Sequence, residues 1–362
     1  RGRGADRKAA GGICKGVRIM LNHFEELCNL CAVSGDEGAV RDYVCRALEG
    51  NPTVSWQTDP LGNLLVEKKG AQRAPHHLMV SAHMDEVGLI VTHVQDSGLL
   101  EIAAVGGVDA SVVIGRQFLV GRQHIPGIVG TKPVHLLSKE QRSQLPTFDG
   151  LVLDIGASSA EEARKLAPEG TCAYFCPDFR TLGDGRVCSK AIDDRAGCAL
   201  LLGLLEQELP YDITAAFLVQ EEIGLRGATA AAYTVAPEFA LVLEATTAAD
   251  IVGASGGERV CTLGGGPVIS FMDRSTMYDK GMYRAAFALC QAQGIPCQTK
   301  TRIAGGNDSG AIHVSRGGVR TLAVSLPCRY LHSPSCVADL ADLDAFAAFL
   351  PRMIQKLMEE DV

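Results

Sequence analysis

Four short apolar runs in this chain each end at an acid or an imidazole. His83 and Asp85 follow the run 78–81, and the pair Glu221 and Glu222 follows 213–219. Glu244 closes the run 239–243, His332 comes after 319–325, and Asp193 and Asp194 stand together ahead of a Leu-rich stretch. Two imidazoles and several carboxylates, with no thiolate among them, form a nitrogen and oxygen donor set suited to Zn²⁺, Co²⁺ or Mn²⁺. Two ions held close together need one bridging carboxylate and a few terminal ligands each, and the inventory meets that need. One member of the Glu221–Glu222 pair could bind metal while the other stays free. A free carboxylate beside a metal-activated water is the general base of metal-assisted hydrolysis.

Each cluster also has a plainer explanation. A His-x-Asp pair is commonly a satisfied hydrogen bond. Asp193 and Asp194 could cap the following helix, where carboxylates meet unpaired N–H groups and the helix dipole. Two adjacent glutamates at a strand end normally go to solvent. Glu244, in Leu-Val-Leu-Glu-Ala-Thr, would need a partner if buried, and His332, ahead of Ser333 and Pro334, could be a loop residue. What sets the combination apart is placement, because in open α/β sheets ligands bind outside the carboxyl ends of the strands.

The elements that would carry these residues are legible. Helices are expected over 20–31 and 35–48, with Ser34 as the N-cap of the second. Strands are expected at 54–57 and 64–67, joined by the turn Asp59-Pro60-Leu61-Gly62-Asn63, and again at 78–81. From about 88 to 186 the texture changes to short Val-, Ile- and Gly-rich strands with little helix beyond 160–166, which reads as a small inserted β-rich domain. After 187 helix and strand alternate: helix 194–209, strand 213–219, helix 229–234, strand 239–243, helix 278–293, strand 319–325 and helix 340–360. Continuous apolar runs such as 213–219 suit strands covered on both faces. The fold class is therefore α/β, with a β-rich insertion.

Bulk composition narrows the function classes. Of 362 residues, 47% are hydrophobic and 21% charged, a balance that supports a sizeable core. The formal charge of -8 offers no electrostatic grip on nucleic acid or an anionic membrane. No apolar run reaches the roughly 18 residues of a membrane span. The 13 cysteines, with no CxxC pair, read as reduced core residues of a cytoplasmic protein. Residues 1–19 are basic and Gly-rich without the apolar segment of a signal peptide, and read as a disordered or vector-derived extension ahead of Met20.

Five segments together carry a family resemblance. They are Ser-Ala-His83-Met-Asp85-Glu-Val-Gly, Lys190-Ala-Ile-Asp193-Asp194-Arg195-Ala-Gly, Gln220-Glu221-Glu222-Ile-Gly224-Leu-Arg-Gly227-Ala, Gly305-Gly-Asn-Asp308-Ser-Gly-Ala311-Ile-His313 and Arg329-Tyr-Leu-His332-Ser-Pro. The chain resembles the TET-type, glutamyl or deblocking, dinuclear-metal aminopeptidases, some of which have been labelled endoglucanases. The likeness covers nearly everything from Met20 onward. It implies a mixed-sheet, zinc-aminopeptidase-like catalytic domain over 20–91 and 183–362, and a small barrel-like dimerisation domain over 92–182. It also implies two divalent ions per subunit, zinc or cobalt, peptide substrates, and a homo-oligomer built from dimers, up to a hollow dodecamer. Asp193 would bridge both ions and join Asp194 through a cis peptide. His83 and Glu244 would complete one ion, and Glu222 and His332 the other. Glu221 would be the general base, and Asp85 would orient His83 through its second ring nitrogen. Glu244 departs from the commonest pattern, since many relatives carry Asp there.

The residues alone say two-metal hydrolase; the resemblance supplies the word aminopeptidase. A glycoside hydrolase of the endoglucanase type would need two carboxylates about 5–9.5 Å apart and no metal, leaving both histidines idle. The single tryptophan, Trp56, and 5% aromatic content are sparse for sugar stacking. A deacetylase or carboxypeptidase would use the same donor set. Arg259, Arg274 and Arg302 are loop cations that either face a substrate pocket or solvent, Asn307 and Asp308 sit in a Gly-rich loop that could help shape a substrate site, and His313 reads as structural.

Overall fold

The computed structural model describes residues 15–359, with side chains from Met20 onward. The expected extension over 1–19 lies, for residues 1–14, outside the described residues. Residues 15–19 belong to the first helix, Lys15–Asn29, which therefore starts five residues before the position expected from the apolar pattern.

The core of the molecule is an eight-stranded mixed sheet. Its order is Val54–Thr58, Leu64–Lys68, Ile213–Leu218, Leu78–His83, Phe239–Thr247, Arg320–Cys328, Val268–Ile269, Gln298–Thr299. The four central strands, from Ile213–Leu218 to Arg320–Cys328, run parallel to one another. Strands on both sides pair antiparallel to them. All six residues of Leu78–His83 and of Ile213–Leu218 are buried, as a strand covered on both faces requires. Helix Ile192–Leu205 lies against this sheet with Leu200, Leu201, Leu202, Leu204 and Leu205 buried. Each fully buried Leu contributes about 1.5–3 kcal/mol of transfer free energy.

Between strands Leu78–His83 and Ile213–Leu218 the chain leaves the sheet and closes a barrel. The strands Gly88–Val94, Leu100–Val105, Leu151–Asp154, Ile125–Thr131, Gln117–Val120 and Cys172–Phe175 form it in that spatial order. Closure removes the exposed edges that six short strands would otherwise present. The barrel has its own apolar core, built on Leu89, Val91, Leu100, Phe118, Val129 and Leu153. A third, three-stranded antiparallel sheet joins Arg180–Leu182, Arg186–Ser189 and Cys336–Asp339.

Two local expectations are corrected. The second helix is Gly38–Leu48, and its N-cap position is Glu37, not Ser34. Ser34 is turned instead toward Asp85, to which its hydroxyl donates at 2.6 Å. The helix expected over 194–209 is Ile192–Leu205, with non-helical backbone at Asp193 and Asp194. Helix Lys280–Gln293 follows the ordinary rules: Asp279 accepts from the Met282 N–H at its start, and Gly294 ends it in the left-handed region. The twelve described cysteines are all free thiols. Among the described residues no helix is long and apolar enough to cross a membrane.

Candidate active site

The carboxyl ends of the four parallel central strands converge on one place. His83 is the last residue of its strand, Glu244 lies inside the next, and Glu221, Glu222 and His332 stand on the loops after two others. Asp193 comes from the opposite side, at the irregular first turn of helix Ile192–Leu205, where the Asp193–Asp194 peptide bond is cis. The five expected ligands and Glu221 all meet there.

Asp193 is central to the geometry. One of its oxygens, Oδ1, lies 3.2 Å from His83 Nε2, and the other, Oδ2, lies 3.4 Å from His332 Nε2. Around His83 Nε2 stands Glu244 Oε2 at 3.7 Å, and around His332 Nε2 stands Glu222 Oε1 at 3.3 Å. The second ring nitrogens are tied back to the protein. His83 Nδ1 is 3.1 Å from the Asp85 carbonyl and 3.4 Å from Asp85 Oδ1, and His332 Nδ1 is 3.2 Å from the Gly107 carbonyl. Such contacts fix which ring nitrogen is offered to a ligand.

Asp85 does more than face His83. Its carboxylate, fully buried, accepts from the Glu221 N–H at 3.0 Å, the Glu222 N–H at 3.1 Å and the Ser34 hydroxyl at 2.6 Å. One carboxylate thus sets the backbone of both adjacent glutamates. Burial opposes its ionisation, but these contacts and His83 hold it below the usual carboxylate range.

The electrostatics are those of too much negative charge in too little water. Burial, reinforced by the neighbouring acids, pushes Glu221 and Glu244 well above the ordinary glutamate range. Burial also raises Glu222, against the pull of His332. Asp193 is the exception: burial is outweighed by its contacts to His332 and His83, which hold it low. Burial disfavours the charged form of both histidines, yet the surrounding carboxylates win, raising His83 well above its usual value and His332 to about 11.

Among the described residues several buried carboxylate oxygens have no hydrogen-bond partner: Asp194 Oδ2, Glu244 Oε1 and both oxygens of Asp308. Stranded carboxylate oxygens are costly unless a cation satisfies them. Three groups of donor atoms are close enough for an ion: His83, Asp194 and Glu244; His83, Glu221 and Glu222; and Asp193, Glu222 and His332. The donor set and the stranded oxygens both fit divalent cations.

Sequence reasoning missed some of what lies here. Asp194 is one of these donors, although its other oxygen also does the plain capping job, accepting from the Gly197 N–H at 3.0 Å. Gly106 and Gly107, from the barrel side, press against the site: a Cβ on Gly107 would lie 2.9 Å from His332 Nδ1, and one on Gly106 would lie 3.1 Å from the Glu222 Cβ. The adjacent glycine pair was the only signal in the sequence. Asp308 is fully buried and pushed up to about 7 by burial and the charges around it. A cavity of about 470 Å³ opens onto the site, with Asp193, Glu221, Glu222, Glu244 and His332 on its wall. Asn307 and Lys300 also line it, whereas Arg259, Arg274 and Arg302 are exposed and not part of its wall. His313 Nδ1 lies 2.8 Å from the Ser309 carbonyl, one turn back in the chain.

Residues 62–349 match the M42 glutamyl aminopeptidase family. The chain belongs to the M42 peptidases. A lysyl aminopeptidase of Pyrococcus furiosus is 32% identical over 91% of this chain and 95% of its own length. A glutamyl aminopeptidase of Lactococcus lactis is 31% identical, over 95% and 98%. Among solved structures, the TET1 peptidase of Pyrococcus horikoshii, which can assemble into a tetrahedron or a large octahedral shell, superposes with a TM-score of 0.81 at 31% identity, covering 94% of this chain and 99% of that one. A Thermotoga maritima structure named an endoglucanase superposes at 0.76 with 32% identity, over 93% and 99%. The mixed sheet with its closed barrel is thus the fold of this peptidase family.

Proposed function

We propose that this M42 peptidase is a two-metal aminopeptidase in which Glu221 is the general base. The observation that carries the reading is the double-sided placement of Asp193, with one oxygen toward each histidine. His83 and Glu244 would complete one ion and Glu222 and His332 the other, with Asp194 as a further donor near His83. Zinc or cobalt suits these ligands. When bound, such ions supply Lewis acidity toward the scissile carbonyl and acidify water.

The remaining steps belong to side chains. Glu221 lines the cavity, and among the described residues no ion pair ties it to either histidine. From the cavity wall its carboxylate would take a proton from the attacking water and pass it to the leaving amine. Asp85 keeps it in place through the Glu221 N–H. The acidic wall suits a peptide that enters with a free, positively charged α-amine. Among the described residues no Phe, Tyr or Trp lines the cavity, and the lone Trp56 stands on a strand at the edge of the sheet, so no described aromatic there would stack a sugar ring. Catalysis would be the work of residues 20–91 and 183–362. The insertion over 92–182, which carries most of the barrel, would be the dimerisation unit of a larger shell, and it exposes Ile128, Val134, Leu136 and Leu145.

Glu221→Gln tests the base. Metal content should stay at the wild-type level while turnover of aminoacyl-p-nitroanilides falls by about 10²–10⁴-fold. Near-normal turnover would remove Glu221 from this role.

A further inference from the structure

Beneath the metal-ligand candidates lies a second ionic cluster, fully buried and outside the chemistry described above. Glu86 is 2% exposed, and Lys190 and Arg195 are 0% exposed. In sequence Glu86 comes three residues after His83, Lys190 three before Asp193, and Arg195 two after Asp193. The cluster therefore grips the two segments that carry His83 and Asp193, from behind both.

Its contacts are specific. Lys190 Nζ donates to both Glu86 oxygens, at 2.7 and 2.8 Å, and to the Leu30 carbonyl at 2.6 Å. Arg195 reaches Glu86 Oε1 at 3.3 Å, and its Nε donates at 3.0 Å to the carbonyl of Met84, the residue between His83 and Asp85. Its other nitrogens meet the carbonyls of Leu27, Leu30 and Ala32. Glu86 Oε1 also accepts from the Ala32 N–H at 3.0 Å. The connection after the first helix is thereby locked to both segments.

Buried ion clusters add little net stability, since apolar residues of the same volume are often as good or better. What directional contacts do supply is fixed spacing, and a metal site tolerates only about 0.5 Å of error in its ligands. We propose that Glu86, Lys190 and Arg195 are positioning residues that set the distance between His83 and Asp193, and so hold the two-metal site ready before any ion enters. The proposal rests on the two-metal reading of the site.

The test uses the full-length protein, stripped with chelator and titrated with Zn²⁺ by calorimetry, with its melting temperature measured metal-free. The double variant Glu86→Gln/Lys190→Met keeps the cluster's net charge at +1 and leaves Arg195 on its carbonyls. It should melt within a few degrees of wild type, yet bind Zn²⁺ at least tenfold more weakly at one or both sites, with kcat reduced more than KM is raised. Zn²⁺ affinity within threefold of wild type at both sites, with kcat unchanged, would overturn the proposal. If the double variant does not fold, Lys190→Arg takes its place, because a planar guanidinium cannot reproduce all three ammonium contacts. At least threefold weaker Zn²⁺ binding with an unchanged melting temperature would then support the proposal, and unchanged binding would overturn it. Wild-type protein that takes up no Zn²⁺ would defeat the two-metal reading itself, a result distinct from an insensitive variant.

Discussion

Replacing Asp85 by Ala removes the acceptor for the Glu221 N–H, the Glu222 N–H and the Ser34 hydroxyl at once. The hydroxyl can rotate to a new partner, but the two peptide N–H groups cannot move without moving the glutamates. Each of these part-buried donors left without an acceptor costs up to about 1–3 kcal/mol, so Asp85→Ala should lose up to roughly 2–6 kcal/mol of stability. Asp85→Asn keeps one acceptor oxygen but turns an amide donor toward the other, and should lose roughly half as much. Ser34→Ala forfeits a single hydrogen bond and should cost only about 1 kcal/mol. Denaturant unfolding of the chelated variants measures these differences free of metal effects. Because His83 Nδ1 loses the carboxylate at 3.4 Å but keeps the backbone carbonyl of residue 85 at 3.1 Å, metal affinity or turnover should fall by about 10-fold in Asp85→Ala, the low end for losing such a partner. A loss below about 1 kcal/mol, with turnover intact, would show that Asp85 does not hold the two glutamates.

Gly107→Ala should push His332 away, because the added Cβ would stand 2.9 Å from its ring nitrogen. Zinc titration should show one weakened site, while the melting temperature of the chelated protein changes little. The metal-free protein should also lose stability as pH rises from 5 to 9. His332, held at about 11, and Glu221 and Glu244, raised well above the usual range, keep protons in the folded state that the unfolded chain releases at lower pH. For such groups stability is fully present below the unfolded value and is lost as pH rises toward the folded one. Asp85 and Asp193, shifted downward, act only below about pH 4, outside that window. Metal binding has the opposite slope, since neutral imidazole and ionised carboxylate are the ligands: zinc affinity should increase over the same range with release of protons. Thermal melts of chelated protein and calorimetry in two buffers check both signs.

The site was legible wherever a chemical group follows a strand. His83, Glu221, Glu222, Glu244 and His332 could be placed because buried parallel strands announce themselves as apolar runs, and their carboxyl ends share one edge of the sheet. Asp193 and Asp194 stand out as a pair, and only the family resemblance, not the residues themselves, divides their roles. Their backbone forms an irregular first turn, which apolar periodicity does not encode. Ser34 looked like a helix cap because its type and position suit one, yet its hydroxyl goes to Asp85, 51 residues away in sequence. Local propensity carries no information about such a partner. The same holds for Gly107 and for Glu86 with its two cations, whose meaning lies in what approaches them across the fold. The residues alone predict a β-rich insertion and the resemblance a barrel, because the pairing of its six strands is non-local.

Metal stoichiometry tests the central claim most directly. Chelated protein reloaded with Zn²⁺, dialysed and analysed by elemental mass spectrometry should hold two ions per chain. Asp193→Asn should hold fewer, because the residue it removes faces both histidines. A wild-type content of one ion or none would contradict a two-metal centre built on Asp193.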